Sequence, residues 1–204
     1  MKKMNRLFAL AMALCLAFAM MTVASASNEA TASGGSATSQ VTLSSTADGS
    51  LDGDPAATAM SVTVPTVLPI AVGTDGKVTT ATDAEIINNS YGAVKVSSVS
   101  IQAAQDWKLT AFGDPSTLAG AKVDSNQVGF AMTTGGGPRL ATVAGSTAPQ
   151  DLLTSAVEGC YMTGSGDQVG NRVAIDYDAI VTPVSNAVTN TGVASVLFVV
   201  EWDI

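Results

Sequence analysis

Histidine is absent from all 204 residues. That removes the commonest general base at neutral pH, the commonest zinc ligand and every Ser–His or Cys–His nucleophile pair. Catalysis by two carboxylates or by lysine survives the exclusion, but the expectation of an enzyme falls sharply. Cysteine is nearly as scarce, with only Cys15 and Cys160. Cys15 lies in an N-terminal apolar run, in the context Met12-Ala13-Leu14-Cys15, which lacks the small residue expected before a lipidated cysteine. Loss of that run on export would leave Cys160 alone, with no partner for an intramolecular disulfide. Cys160 then reads as a buried apolar filler or as a thiol that pairs between chains. Positive charge is also short: nine Lys and Arg stand against 17 Asp and Glu, a formal net charge of −8. No GxGxxG loop, Walker motif, CxxC pair or GxSxG elbow occurs in the chain.

What is present begins with a leader. Lys2, Lys3 and Arg6 form a positive head, an apolar run extends from Leu7 to Val23, and Ala24-Ser25-Ala26 supplies a small-x-small cleavage site. This pattern predicts a secretory signal peptide over residues 1–26, cleavage after Ala26 and an exported protein that is secreted, extracellular or held at the cell surface. Six basic residues remain after Lys2, Lys3 and Arg6 are removed, so the mature charge is six minus 17, or −11. Such a surface repels nucleic acid and anionic lipid, so neither is expected as a partner, and no membrane insertion follows cleavage.

Residues 27–58 are dominated by Ser, Thr, Ala, Gly and Asp, with Val41, Leu43 and Leu51 as the only sizeable apolar side chains. This composition predicts a flexible segment. Within it, Gln40-Val41-Thr42-Leu43-Ser44 alternates as one strand would, an edge strand or one donated to a neighbouring subunit.

From residue 59 to 204 the pattern is that of strands. Thr74-Asp75-Gly76-Lys77 is a turn between Ile70-Ala71-Val72 and Val78-Thr79-Thr80. Pro65 and Pro69 mark interruptions or edges. In Val94 to Ile101 the apolar phase slips between Val96 and Val99, which predicts a β-bulge at Ser97-Ser98. Val173, Ile175, Tyr177 and Ala179 fall on one face of an alternating strand. The runs around residues 96 and 199 are the expected central strands, and Ser146 to Val157 is the one stretch with helical character. The sum is an all-β fold, a single β-sandwich or jelly roll of about 8–10 strands.

Three clusters could carry chemistry. Asp48, Asp52 and Asp54 lie within seven residues with two glycines, a composition suited to calcium, but the spacing departs from the calcium-loop pattern and fits a solvated linker better. Asp176 and Asp178 share a strand face, as do Asp83 and Glu85. Each pair reads as a glycoside-acting carboxylate pair or, more simply, as the wet side of a sheet. Trp107 and Trp202 read as core residues rather than as a sugar-stacking platform. No catalytic residue, metal ligand or cofactor is assigned.

Ser61-Val62-Thr63-Val64-Pro65-Thr66-Val67-Leu68-Pro69-Ile70, Asp75 to Thr80, Ile87-Asn88-Asn89-Ser90, Val94-Lys95-Val96, Trp107-Lys108-Leu109 and the ending Phe198 to Ile204 together resemble uncharacterised exported surface β-sandwich proteins of Gram-positive bacteria. The resemblance covers less than half of the mature chain. Trp107-Lys108-Leu109 is similar to one half of the signature of WxL surface proteins, whose second copy is missing here. The overall plan is similar to biofilm-fibre and camelysin-like β-sandwich proteins; camelysin-like proteins are described as metallopeptidases, but this chain has no histidine for such a zinc site. The resemblance implies a non-catalytic surface or matrix protein that acts by assembly or adhesion, through itself or cell-envelope components. A secreted carbohydrate-binding or carboxylate-dependent glycoside-acting module is the alternative.

Overall fold

The computed structural model describes residue 43, residues 45–50, residue 53, and residues 56–145 and 147–204. Met1–Ala57 and Thr58–Ile204 are separate compact units. The expected leader therefore lies outside the described residues, as do Val41, Thr42, Ser44, Asp52 and Asp54. In the first unit, the Asp48 carboxylate accepts the Ser50 amide at 3.0 Å and the Thr46 hydroxyl donates to the Ser50 carbonyl at 2.8 Å.

The second unit is all-β. Its strands are β1 (Val62–Thr63), β2 (Ile70–Val72), β3 (Val78–Thr80), β4 (Glu85–Asn88), β5 (Val94–Ala103), β6 (Lys108–Leu109), β7 (Gln127–Thr134), β8 (Leu140–Ala141), β9 (Gln150–Leu153), β10 (Tyr161–Met162), β11 (Arg172–Val181) and β12 (Ala194–Trp202). A single helical turn, α1 (Ser116–Ala119), precedes β7. A six-stranded sheet runs β1-β4-β11-β7-β6, with β8 also on β7. A four-stranded sheet runs β10-β5-β12, with β9 also on β5, and β2 and β3 form a separate hairpin. Pairing is antiparallel throughout except between β6 and β7.

Both larger sheets turn apolar side chains into one core. Val94, Val96, Val99 and Ile101 of β5 meet Phe130 and Met132 of β7 and Val173, Ile175 and Tyr177 of β11. The Phe130 and Tyr177 rings stack with centroids 6.0 Å apart, a separation that favours offset aromatic contact. This is the sandwich arrangement expected from alternating strands, in which each sheet leaves one face wet.

Local signals map directly onto these elements. The β2–β3 hairpin turns at Gly76, whose φ of 78° suits glycine alone at low cost. The bulge lies at Ser97: Val199 pairs with Ser98 and Val200 with Val96, so Ser97 has no opposite number. Pro65 follows edge strand β1 and Pro69 precedes β2.

Two expectations are overturned. The Ser146–Val157 stretch holds strand β9 rather than a helix. Its four residues form a sheet edge against β5, and that backbone pairing overrides a weak helical pattern. The strand around residue 199 is not central: β12 is an edge, paired only with β5 among the described residues. Its long apolar run suggested burial on both sides, whereas that position belongs to β7, most of whose residues are buried.

Candidate functional site

The outer face of the four-stranded sheet carries the most functional chemistry. On β5 the inward positions are apolar, which leaves Lys95 and the Ser97-Ser98 pair facing outward and half-buried. Antiparallel pairing then sets Lys95 between two neighbours, Tyr161 of β10 on one side and Glu201 of β12 on the other. The Lys95 ammonium lies 3.7 Å from Asp203 Oδ1. The bulge at Ser97 turns its hydroxyl sideways, where it donates to the Val199 carbonyl at 3.3 Å. Thr154 and Ser155, just after β9, complete an open groove of about 440 Å³.

The groove combines one exposed phenol ring, one cation, one carboxylate and several hydroxyls. A tyrosine ring offers an apolar face to a sugar, and hydroxyls and charges supply hydrogen bonds at its rim. A second open groove, also about 440 Å³, lies beside β1 and β4 and is more apolar; Val64, Pro65, Val67, Asp83 and Glu85 are among the residues that line it.

The carboxylate pairs singled out in the sequence have separate fates. Asp176 and Asp178 lie on the exposed face of β11, opposite the buried Ile175 and Tyr177. Asp178 accepts the Ala179 amide at 2.8 Å and stands 4.0 Å from Arg139, whose guanidinium lies 4.5 Å above the Phe112 ring. Neither aspartate lines the two grooves. Glu85 is held by Arg172 at 3.3 Å, while Asp83 is exposed beside it. Both are occupied by, or open to, partners typical of a solvated sheet face.

The single-residue candidates also resolve. Cys160 is fully buried, its sulfur 3.3 Å from the Thr134 hydroxyl. Trp107 and Trp202 pack on the core but remain half-buried, less enclosed than the sequence suggested. The Trp202 ring covers Gly92 so closely that a side chain there would sit 3.0 Å from Cζ3. Among the described residues, no group of three or more His, Cys, Asp or Glu side chains gathers to hold a metal ion.

Sequence reasoning missed the Tyr161–Lys95–Glu201 row. Its one local sign was the phase slip at Ser97-Ser98, because the row itself is assembled by pairing between segments far apart in the chain. Comparison with protein-family models, curated proteins and solved structures finds no match to this chain.

Proposed function

We propose that this chain is a non-catalytic extracellular surface or matrix protein that acts by assembly or adhesion. The observation that carries the reading is β12, a nine-residue, mostly apolar strand with one side unpaired among the described residues. Exposed edges of this kind recruit other chains through backbone hydrogen bonds. The leader over residues 1–26 supports export, and the acidic net charge keeps such a surface soluble until a specific contact forms. Residence at a Gram-positive cell envelope rests on the resemblance of residues 60–110 and the last ten.

A second reading is favoured by the Tyr161 groove, whose ring and hydroxyls suit a polysaccharide chain. One sample separates the two. The exported protein is recovered from the producing cells, its N-terminus is read by mass spectrometry, and it is passed over a sizing column and mixed with insoluble cell-wall polysaccharide. The assembly reading expects Ser27 as the first residue and a species larger than one chain. A monomer that sediments with polysaccharide favours the glycan reading. A cytosolic species that still carries Met1 and does neither overturns both.

A further inference from the structure

The geometry points to a two-fold dimer in which the edge of β12 that is unpaired among the described residues pairs antiparallel with β12 of a second copy, centred on Phe198. The inference rests on the assembly reading and names its contact surface.

Orientation of the edge follows from the strand's flanks. The Val193 carbonyl accepts from the Ala104 amide and the Asp203 amide donates to the Ala93 carbonyl, each at 3.0 Å. Both partners flank β5, so odd-numbered residues of β12 turn their backbone groups toward β5. The bulge is on β5 and leaves the alternation of β12 intact. Ala194, Val196, Phe198, Val200 and Trp202 therefore turn their N–H and C=O groups to the open side. Their side chains point to the core, yet they remain half-exposed because nothing described covers that flank.

The other edge strands among the described residues are blunted. β1 has two residues and is followed by Pro65, β2 and β3 have three each with Pro69 just before β2, β6, β8 and β10 have two each, and β9 has four. Short edges and prolines are the usual defences against unwanted pairing. β12 has nine residues, no proline, no lysine and a single charge, Glu201. Leu197 and Val199 are 61% and 40% exposed on its outer face.

A second copy fits this edge better than an unrelated strand because the sequence is complementary to itself. Centring on Phe198 uses all nine residues and sets core-facing positions opposite core-facing positions. Val196 then meets Val200, and the small Ala194 meets the large Trp202. On the outer face Leu197 meets Val199. Glu201 faces Ser195, so the one charge on the strand avoids its own copy, which a register centred on Glu201 would force together. The two-fold closes on itself and yields a dimer rather than a filament. Net charge of like sign on both copies opposes the contact, so association should strengthen with added salt.

The test is sedimentation equilibrium of the full chain and of two double variants at the exposed outer positions. In L197K/V199K each lysine faces a lysine of the other copy, and association should weaken about tenfold or more. In L197K/V199E each lysine faces a glutamate, and association should return. Amide exchange provides a second measure: the N–H groups of Val196, Phe198 and Val200 should gain protection as wild-type concentration rises. A wild type that stays monomeric with these amides unprotected overturns the proposal. Undiminished association of a folded L197K/V199K overturns it too and moves the contact elsewhere, for instance to residues 40–44, while the assembly reading stands. Recovery absent in L197K/V199E overturns the register. A monomeric wild type that binds no component of the envelope removes the assembly reading itself, and a monomer that sediments with polysaccharide favours the glycan reading instead.

Discussion

The hydroxyl of Tyr177 donates to the carbonyl of Pro69 at 2.7 Å, a contact between residues 108 positions apart. The same oxygen accepts the Ala81 amide at 3.2 Å. Pro69 and Ala81 bracket the β2–β3 hairpin, so one phenol ties both ends of that hairpin to β11 in the middle of the six-stranded sheet. The ring itself is buried against Phe130.

Tyr177→Phe keeps the ring and removes both hydrogen bonds. It should cost about 1–2 kcal/mol in urea unfolding. Amide exchange of Ile70–Thr80 should accelerate by more than that of β7, because the hairpin loses its tether first. Equal acceleration in both would show that the phenol does not anchor the hairpin.

The tryptophans lie half in the core, and their truncation should reflect that. Trp107→Ala and Trp202→Ala should each lower stability by about 2 kcal/mol, below the ~3–5 kcal/mol of a fully enclosed aromatic. Thermal melts check this directly. Trp202→Ala also uncovers Gly92, so exchange at the start of β5 should rise.

Cys160 is sealed beneath Thr134, with Gly159 before it at a φ of 82°. A thiol reagent should therefore modify native protein only as fast as the domain opens, and the rate should fall in step with added stability. Prompt stoichiometric labelling of the folded chain would contradict the buried position. Cys160→Ala should cost about 1 kcal/mol and leave the oligomeric state unchanged.

Acid should loosen two loops before the sheets. The Gly170 amide, then that of Val169 and the Thr163 hydroxyl, hold the Asp167 carboxyl below its ordinary value of 3.8. The Ser185 hydroxyl and amide do the same for Asp124, at 2.6 and 2.8 Å. A carboxyl whose folded value is depressed contributes fully above the unfolded value and loses that contribution as pH falls through the folded one. Stability should therefore drop below about pH 4. Asp167→Asn should be weaker at pH 7 and show a shallower decline through the acid range. An identical pH profile in wild type and variant would remove Asp167 from the account.

Much of the fold was legible because several signals are local. Asp75-Gly76 marks a tight turn by backbone chemistry alone, the slip from Val96 to Val99 marks a bulge by period, and the alternation from Val173 to Ala179 marks one dry face. The β9 segment was misread because Asp151-Leu152-Leu153 is too short for its period to separate helix from strand. The candidate groove was not legible, since Tyr161, Lys95 and Glu201 become neighbours only through two strand pairings.

The sequence alone determined that this chain is built of strands, where its hairpin turns and where its central bulge falls, since each depends on residues adjacent along the backbone. Only the tertiary structure decided that β12 is an edge among the described residues, that β11 and β7 lie side by side inside the six-stranded sheet, and that the outer face of β5 gathers the polar groove. A strand of suitable period can pair with many others, and its order in the sheet follows from contacts between distant segments. No local pattern encodes that choice: Val196-Leu197-Phe198-Val199-Val200 would read the same at the centre of a sheet as it does at the rim.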